Sequence, residues 1–337
     1  MYDLVYVCDS RPEIGNGHLK RGTDVLHALL ERRPQLRCAL SGLFSPSALG
    51  FIESFVDHRI DRVGDVVPPA ALGVLDTMAD PQAPQVVERE RSSALRSSVR
   101  TFVVISSALE VRLPVRPDVL IDHMPDAKVV GEQPLKTLLG FDFAPVAREF
   151  VVSENGNETC GVLAVIGGGP EQVGPNIVAG LLAKRADTEM GGLDIVVSPH
   201  FPEQKMVDLR CSFPSIRLHR GVPTLVPLMR AARAVVCTYG NITYESLVLA
   251  KPTFVTGYKQ FQVEYAEYLQ QRGLVVSLGR FDALTTGSTA CIFSREVRSR
   301  LAAAAQHDFS SAGIERIADV LERELPEANH RGVKARW

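Results

Sequence analysis

Asp9-Ser10-Arg11-Pro12-Glu13-Ile14-Gly15-Asn16-Gly17-His18-Leu19-Lys20-Arg21 follows an apolar, β-branched run, Leu4-Val5-Tyr6-Val7-Cys8. It leads into a stretch with Val25, Leu26, Leu29 and Leu30 at helical spacing. The change of period predicts a strand, a tight loop and a helix opening an α/β domain. In an open parallel sheet, ligands bind in the crevice beyond the carboxyl ends of the strands. Gly15 and Gly17 bring bare backbone to that crevice, and His18 stands in the first turn of the helix. The positive end of the helix dipole disfavours imidazolium, which leaves a neutral ring able to accept a proton. Arg21 falls one turn further on the same face, where its guanidinium can hold an anionic or polyhydroxylated ligand. A glycine-containing turn can also serve packing alone. The stretch lacks the third glycine of a dinucleotide fingerprint, and Lys20 is not followed by the Ser or Thr of a phosphate-binding P-loop.

At 337 residues the chain suits two domains. Its 45% apolar and 23% charged residues are ordinary globular values. A net charge of −2 gives no electrostatic case for nucleic acid or an anionic membrane. Cys8, Cys38, Cys160, Cys211, Cys237 and Cys291 are scattered, with no Cys-x-x-Cys pair. They read as buried small hydrophobes in a reducing cytoplasm. Asp9 and Asp76 close strands, but no His-rich ligand set accompanies them, so no metal is expected. The N-terminal run between Asp3 and Asp9 is no signal peptide. No run approaches the roughly 20 apolar residues of a membrane span.

Strand-like runs alternate with helical stretches throughout, which argues for parallel sheets. The first set comprises 4–8, 37–40, 72–76, 101–105 and 119–121, with helices near 18–31, 46–57 and 82–98. Ser153-Glu154-Asn155-Gly156-Asn157-Glu158 reads as a linker. The alternation restarts at 161–166 and continues through 194–198, 216–219, 234–237, 252–256 and 274–277. Two Rossmann-like domains facing a central cleft are expected: 1–152, and 159–325 ending in an amphipathic helix, with a basic tail at 326–337.

In the second half, Gly167-Gly168-Gly169 follows a strand directly. Val235-Val236-Cys237-Thr238-Tyr239-Gly240-Asn241-Ile242-Thr243-Tyr244-Glu245 predicts a strand, a glycine turn and a helix capped by Asn241 or Thr243. Free backbone N–H groups at such a helix start form a site for a diphosphate. Glu245 in the first turn either complements the dipole or accepts hydrogen bonds from a ribose diol. Gln260-Phe261-Gln262 completes the cluster.

These motifs resemble the UDP-sugar hydrolases of pseudaminic acid biosynthesis and the related spore-coat polysaccharide glycosyltransferases. The marks are Asp9-Ser10 with Ile14-Gly15-x-Gly17-His18-x-x-Arg21, then Leu138-Leu139-Gly140 with Ala147-Arg148-Glu149-Phe150. The glycine run 167–169 with Asn176, and Gly240-x-x-x-Tyr244-Glu245-x-x-x-Leu249-x-Lys251-Pro252, follow in order. The last is shared with the wider glycosyltransferase-B (GT-B) superfamily. The chain departs from the pattern at Ser106-Ser107, where relatives carry Asp-Asp, around Pro170-Glu171, and at Phe261-Gln262, where they carry Asn-Gln.

The resemblance implies a GT-B fold and a nucleotide-sugar substrate. Gly168, Gly169, Gly240, Asn241, Ile242, Thr243, Glu245 and Gln262 would hold the nucleotide, and Gly15, Gly17 and Arg21 the sugar. It implies that His18 activates water without a metal or other cofactor; the residues add Asp9 as the group orienting its ring. The expected reaction releases free sugar and UDP; the alternative is transfer to a hydroxyl acceptor at the same site. An idle sugar-nucleotide binding protein would not need a base at that turn.

Overall fold

The computed structural model describes residues 1–10, 17–76, 87–152, 160–166, 174–197, 201–309 and 313–326. The chain divides into two compact units, Met1–Phe143 with Ile314–Trp337, and Ala144–Gly313.

In the first unit, β1 (Tyr2–Cys8), α1 (Gly17–Arg32), β2 (Cys38–Ser41), α2 (Pro46–Phe55), β3 (Ile60–Gly64) and β4 (Ala70–Asp76) open the fold. α3 (Arg89–Ser98), β5 (Val99–Ser106), β6 (Glu110–Leu113), β7 (Val119–Asp122), β8 (Lys128–Gly131) and β9 (Lys136–Leu139) follow. The main sheet is parallel, in the order β3-β2-β1-β4-β5-β7-β9, and β6 pairs with β8 beside it. Alternate residues of β1 serve opposite faces. Leu4, Tyr6 and Cys8 pack on the α1 side, while Val5 and Val7 join the core that includes Leu95 of α3. The apolar stripe of α1, including Val25, Leu26, Leu29 and Leu30, is buried on the first of these faces.

The second unit contains α4 (Arg148–Val152), β10 (Cys160–Val165), α5 (Gly174–Met190), β11 (Leu193–Val197), α6 (Glu203–Ser212) and β12 (Ile216–Arg220). After these come α7 (Val226–Ala231), β13 (Ala232–Thr238), α8 (Asn241–Val248), β14 (Thr253–Gly257), α9 (Gln260–Gln271), β15 (Val276–Arg280) and α10 (Arg295–Asp308). Its parallel sheet runs β12-β11-β10-β13-β14-β15. Val162, Ala164, Ile195, Val236 and Phe254 form a core with Val178, Leu182 and Ala186 of α5.

Two expectations change here. The final helix, α11 (Gly313–Glu324), returns to the first unit instead of closing the second. Its buried Ile314, Ile317, Ala318 and Leu321 join the core that holds the α1 stripe. Each large apolar side chain so buried contributes about 1.5–3 kcal/mol. Arg32 at the end of α1 adds ion pairs to Glu315, Asp319 and Glu322. The Ala147–Phe150 element also falls with the second unit, where α4 packs against α8. The linker 153–158 lies outside the described residues.

Candidate functional site

In both sheets the first strand sits mid-sheet, and successive connections move outward in opposite directions from it and its neighbour. That reversal opens a crevice at the strands' carboxyl ends. In the first unit it falls between β1 and β4, whose last residues, Cys8 and Asp76, are in register. In the second it falls between β10 and β13, where Val165 pairs with Cys237.

His18 is the second residue of α1, its side chain 17% exposed, with Nδ1 2.7 Å from Oδ1 of the fully buried Asp76. A carboxylate can only accept, so the 2.7 Å contact is made by a proton on Nδ1, and in the neutral ring that tautomer leaves Nε2 as the acceptor; Arg21 Nη2 also stands 3.3 Å from Nδ1. Asp76 also accepts from Arg21 Nε at 2.6 Å, from Arg21 Nη2, and from the Tyr6 hydroxyl at 2.6 Å. Burial alone would raise its pKa; Arg21 and His18 outweigh this and hold the carboxyl well below the usual carboxylate range.

Asp9 does not orient His18. It is fully buried, and its Oδ1 accepts from the Leu43 N–H at 2.9 Å and Arg91 Nη1 at 2.6 Å. Arg91 also pairs with Asp65 and Glu88. Asp9 therefore ties the end of β1 to the loop after β2 and to α3. Asp76, one strand over, takes the orienting place. Arg21 is likewise committed to the protein: it is 3% exposed, forks onto Asp76, and donates from Nη1 to Ser107 Oγ at 2.7 Å. Its guanidinium positions groups of the crevice wall instead of standing open to an anion.

The serine pair has structural partners. Ser107 receives Arg21, and Ser106 hydrogen-bonds the Asp122 carboxyl. Asp122 accepts from the N–H groups of Ala108 at 3.1 Å and Met124 at 2.8 Å. Its burial pushes its pKa up to about 6 against those donors. Beside it, burial pushes His123 down to about 3, so that ring is neutral. The strand end at Asp76 was visible in the sequence; the strand read as 119–121 runs on to Asp122, which the sequence reading did not single out, and the β1-β4-β5-β7 order brings both into this sheet. Gly17 begins α1 and is exposed; Gly15 lies outside the described residues.

In the second unit, α8 follows β13 into the equivalent crevice. Neither Asn241 nor Thr243 caps it: Gly240 is the cap residue, with no side-chain cap bond, and its carbonyl accepts from the Thr243 N–H at 3.0 Å. Asn241 and Ile242 form the half-buried first turn, while Thr243 is buried with Oγ1 3.7 Å from Cys237 Sγ. Gly240 has extended backbone (φ 162°, ψ −162°), and a Cβ there would meet nothing within 4 Å. Neither conformation nor packing within the described residues requires glycine at this turn.

Glu245 is the fifth residue of α8, beyond its first turn, and is buried. Burial, with Glu245 adding to it, pushes the nearby Cys237 thiol up to about 12. Gln262 is a brace: Oε1 accepts from the N–H groups of Tyr258 (2.9 Å) and Lys259 (3.2 Å), and Nε2 donates to the Tyr239 carbonyl (3.2 Å). Phe261 beside it packs edge-on to Tyr265, which packs against Tyr239. Gly168 and Gly169 lie outside the described residues. Among those residues no helix is long and apolar enough to cross a membrane.

No family model and no curated protein matches the chain. Solved structures do. MurG of Acinetobacter baumannii is 11% identical with a TM-score of 0.62, covering 95% of this chain and 99% of its own. The glycotransferase of kitacinnamycin is 13% identical with a TM-score of 0.58, covering 96% and 99%. The UDP-bound MnaA of S. aureus is 10% identical with a TM-score of 0.60, covering 96% and 97%. At such identities the likeness is one of fold: two Rossmann-like α/β units of the GT-B class.

Proposed function

We propose that the chain is a nucleotide-sugar glycosyltransferase in which His18 is the general base. The observation that carries this is the His18–Asp76 pair at the crevice of the first sheet, with Nδ1 spoken for and Nε2 left to accept a proton. The start of α8, with Gly240 open to approach, supports a diphosphate site. The fold shared with a glycotransferase and with a UDP complex supports a UDP-sugar donor.

In this reading His18 Nε2 takes the proton of an acceptor hydroxyl as its oxygen bonds to the anomeric carbon. The bond from that carbon to the diphosphate oxygen breaks, and UDP leaves with the electron pair. Asp76 stays ionised and stabilises the imidazolium.

Hydrolysis, with water as acceptor, is the second reading, favoured by the Ile14-Gly15-x-Gly17-His18-x-x-Arg21 motif and its resemblance to UDP-sugar hydrolases. Release of UDP from a panel of UDP-sugars, followed by mass spectrometry with and without hydroxyl acceptors, separates the two. Acceptor-dependent release supports transfer, and release in buffer alone supports hydrolysis. No release from any donor, with no UDP binding by calorimetry, overturns both.

A further inference from the structure

The Asp76 carboxylate receives four donor contacts. Arg21 places Nε on Oδ2 and Nη2 on Oδ1, which takes one lone pair from each oxygen. On its own that fork leaves the two oxygens alike. The Tyr6 hydroxyl breaks the symmetry: it donates to Oδ2 at 2.6 Å, and the remaining place on Oδ1 goes to His18 Nδ1 at 2.7 Å, a shorter contact than the 3.3 Å from Nδ1 to Arg21 Nη2.

Tyr6 is fully buried in β1, and its ring lies directly against α1. A Cβ on Gly22 would stand 2.7 Å from Tyr6 Cε1 and 2.9 Å from Cδ1, closer than side chains approach. The helix can come this near the strand only because residue 22 has no side chain. Gly22 is one turn beyond His18, so this contact sets how far the helix start stands from the end of β4. A phenylalanine would fill the same space. What the tyrosine adds is the hydroxyl on Asp76.

We propose that Tyr6 is a positioning residue for His18. Its hydroxyl occupies Oδ2 and so directs Oδ1 of Asp76 to the imidazole. Its ring, seated on Gly22, fixes the distance at which Asp76 and His18 meet. The effect is to hold His18 in the Nδ1–H tautomer with Nε2 as acceptor. The inference rests on His18 being the base for its functional meaning, but its test needs no substrate.

Ring nitrogens of the 15N-histidine-labelled full chain report the tautomer directly, with His18 assigned by the signal missing from His18→Asn. Wild type should show His18 protonated on Nδ1 alone. Tyr6→Phe should keep the fold and show His18 averaging between tautomers. Carbethoxylation of His18 by diethyl pyrocarbonate, read by peptide mass, should slow by roughly two- to fivefold as the Nε2 lone pair becomes less available. Gly22→Ala, with the hydroxyl intact but the ring displaced, should give the same spectral change.

A wild-type spectrum with the proton on Nε2 overturns the proposal without any variant. So does a folded Tyr6→Phe with wild-type tautomer and reactivity. Full activity of His18→Asn would instead remove the transferase reading and leave the tautomer result standing.

Discussion

Nδ1 of His18 and Oδ1 of Asp76 lie 2.7 Å apart although 58 residues separate them in the chain. The contact exists because β4 crosses beyond β2 and β3 to lie against β1, which places Asp76 beside the end of β1 and against His18 at the start of α1. Asp76 receives Arg21 and Tyr6 in the same place.

Replacing Asp76 by Asn should therefore be a catalytic lesion. The amide keeps the shape of the carboxylate but neither fixes the Nδ1–H tautomer nor stabilises an imidazolium. UDP release from an active UDP-sugar should fall by about 10²–10⁴-fold, as it should for His18→Asn. UDP affinity by calorimetry should stay within about twofold, since the nucleotide site is assigned to α8.

Asp9 makes the opposite prediction. Its partners, Leu43 N–H and Arg91, belong to the scaffold. Asp9→Ala leaves Arg91 with Asp65 and Glu88 but leaves the Leu43 N–H without its acceptor, a loss of about 1–3 kcal/mol. Chemical denaturation should show that loss, while kcat of the protein that remains folded should be nearly that of wild type.

Gly240→Ala separates a ligand role from a structural one. No described atom lies within 4 Å of the added Cβ, so the melting temperature should be unchanged. If a diphosphate approaches this backbone, UDP binding should weaken by about 1–3 kcal/mol through lost or lengthened hydrogen bonds. Calorimetry giving wild-type affinity would leave Gly240 outside the nucleotide site.

The two buried carboxyls predict opposite pH dependences. Asp122, raised to about 6, favours the folded state most below its unfolded pKa of ~4, and loses that contribution as pH rises through about 6. Asp76, lowered, contributes above ~4 and loses its contribution as pH falls below that value. Denaturation of wild type, Asp122→Asn and Asp76→Asn from pH 3.5 to 7 checks both. The stability of wild type relative to Asp122→Asn should decline with rising pH, and relative to Asp76→Asn it should decline with falling pH.

Much of this was legible in the chain. The runs at 4–8 and 161–166 have no alternation to expose one face, and both strands are buried mid-sheet. The α1 stripe and its start were equally readable. The short strands β6, β8 and β9 were not, because four-residue segments such as Lys128-Val129-Val130-Gly131 carry too little pattern to distinguish them from loop. Asp9 was read as the orienter of His18 because it is near in sequence, whereas sheet order decides proximity, and it favours Asp76. Gln262 is assigned to the nucleotide by the resemblance alone. Its three backbone partners come from the Tyr239 turn and the Tyr258–Lys259 turn, which only the fold brings together.

Because α11 completes the core around α1, the second unit is an insertion between two pieces of the first. During synthesis the ribosome delivers Leu26, Leu29 and Leu30 long before Ile317 and Leu321. The first unit thus cannot close its core until the whole second unit has emerged. Its nascent form carries an uncovered apolar strip throughout that interval, a target for chaperones that the finished protein no longer presents. Chain termination just before α11 would leave the first unit's core without Ile314, Ile317, Ala318 and Leu321.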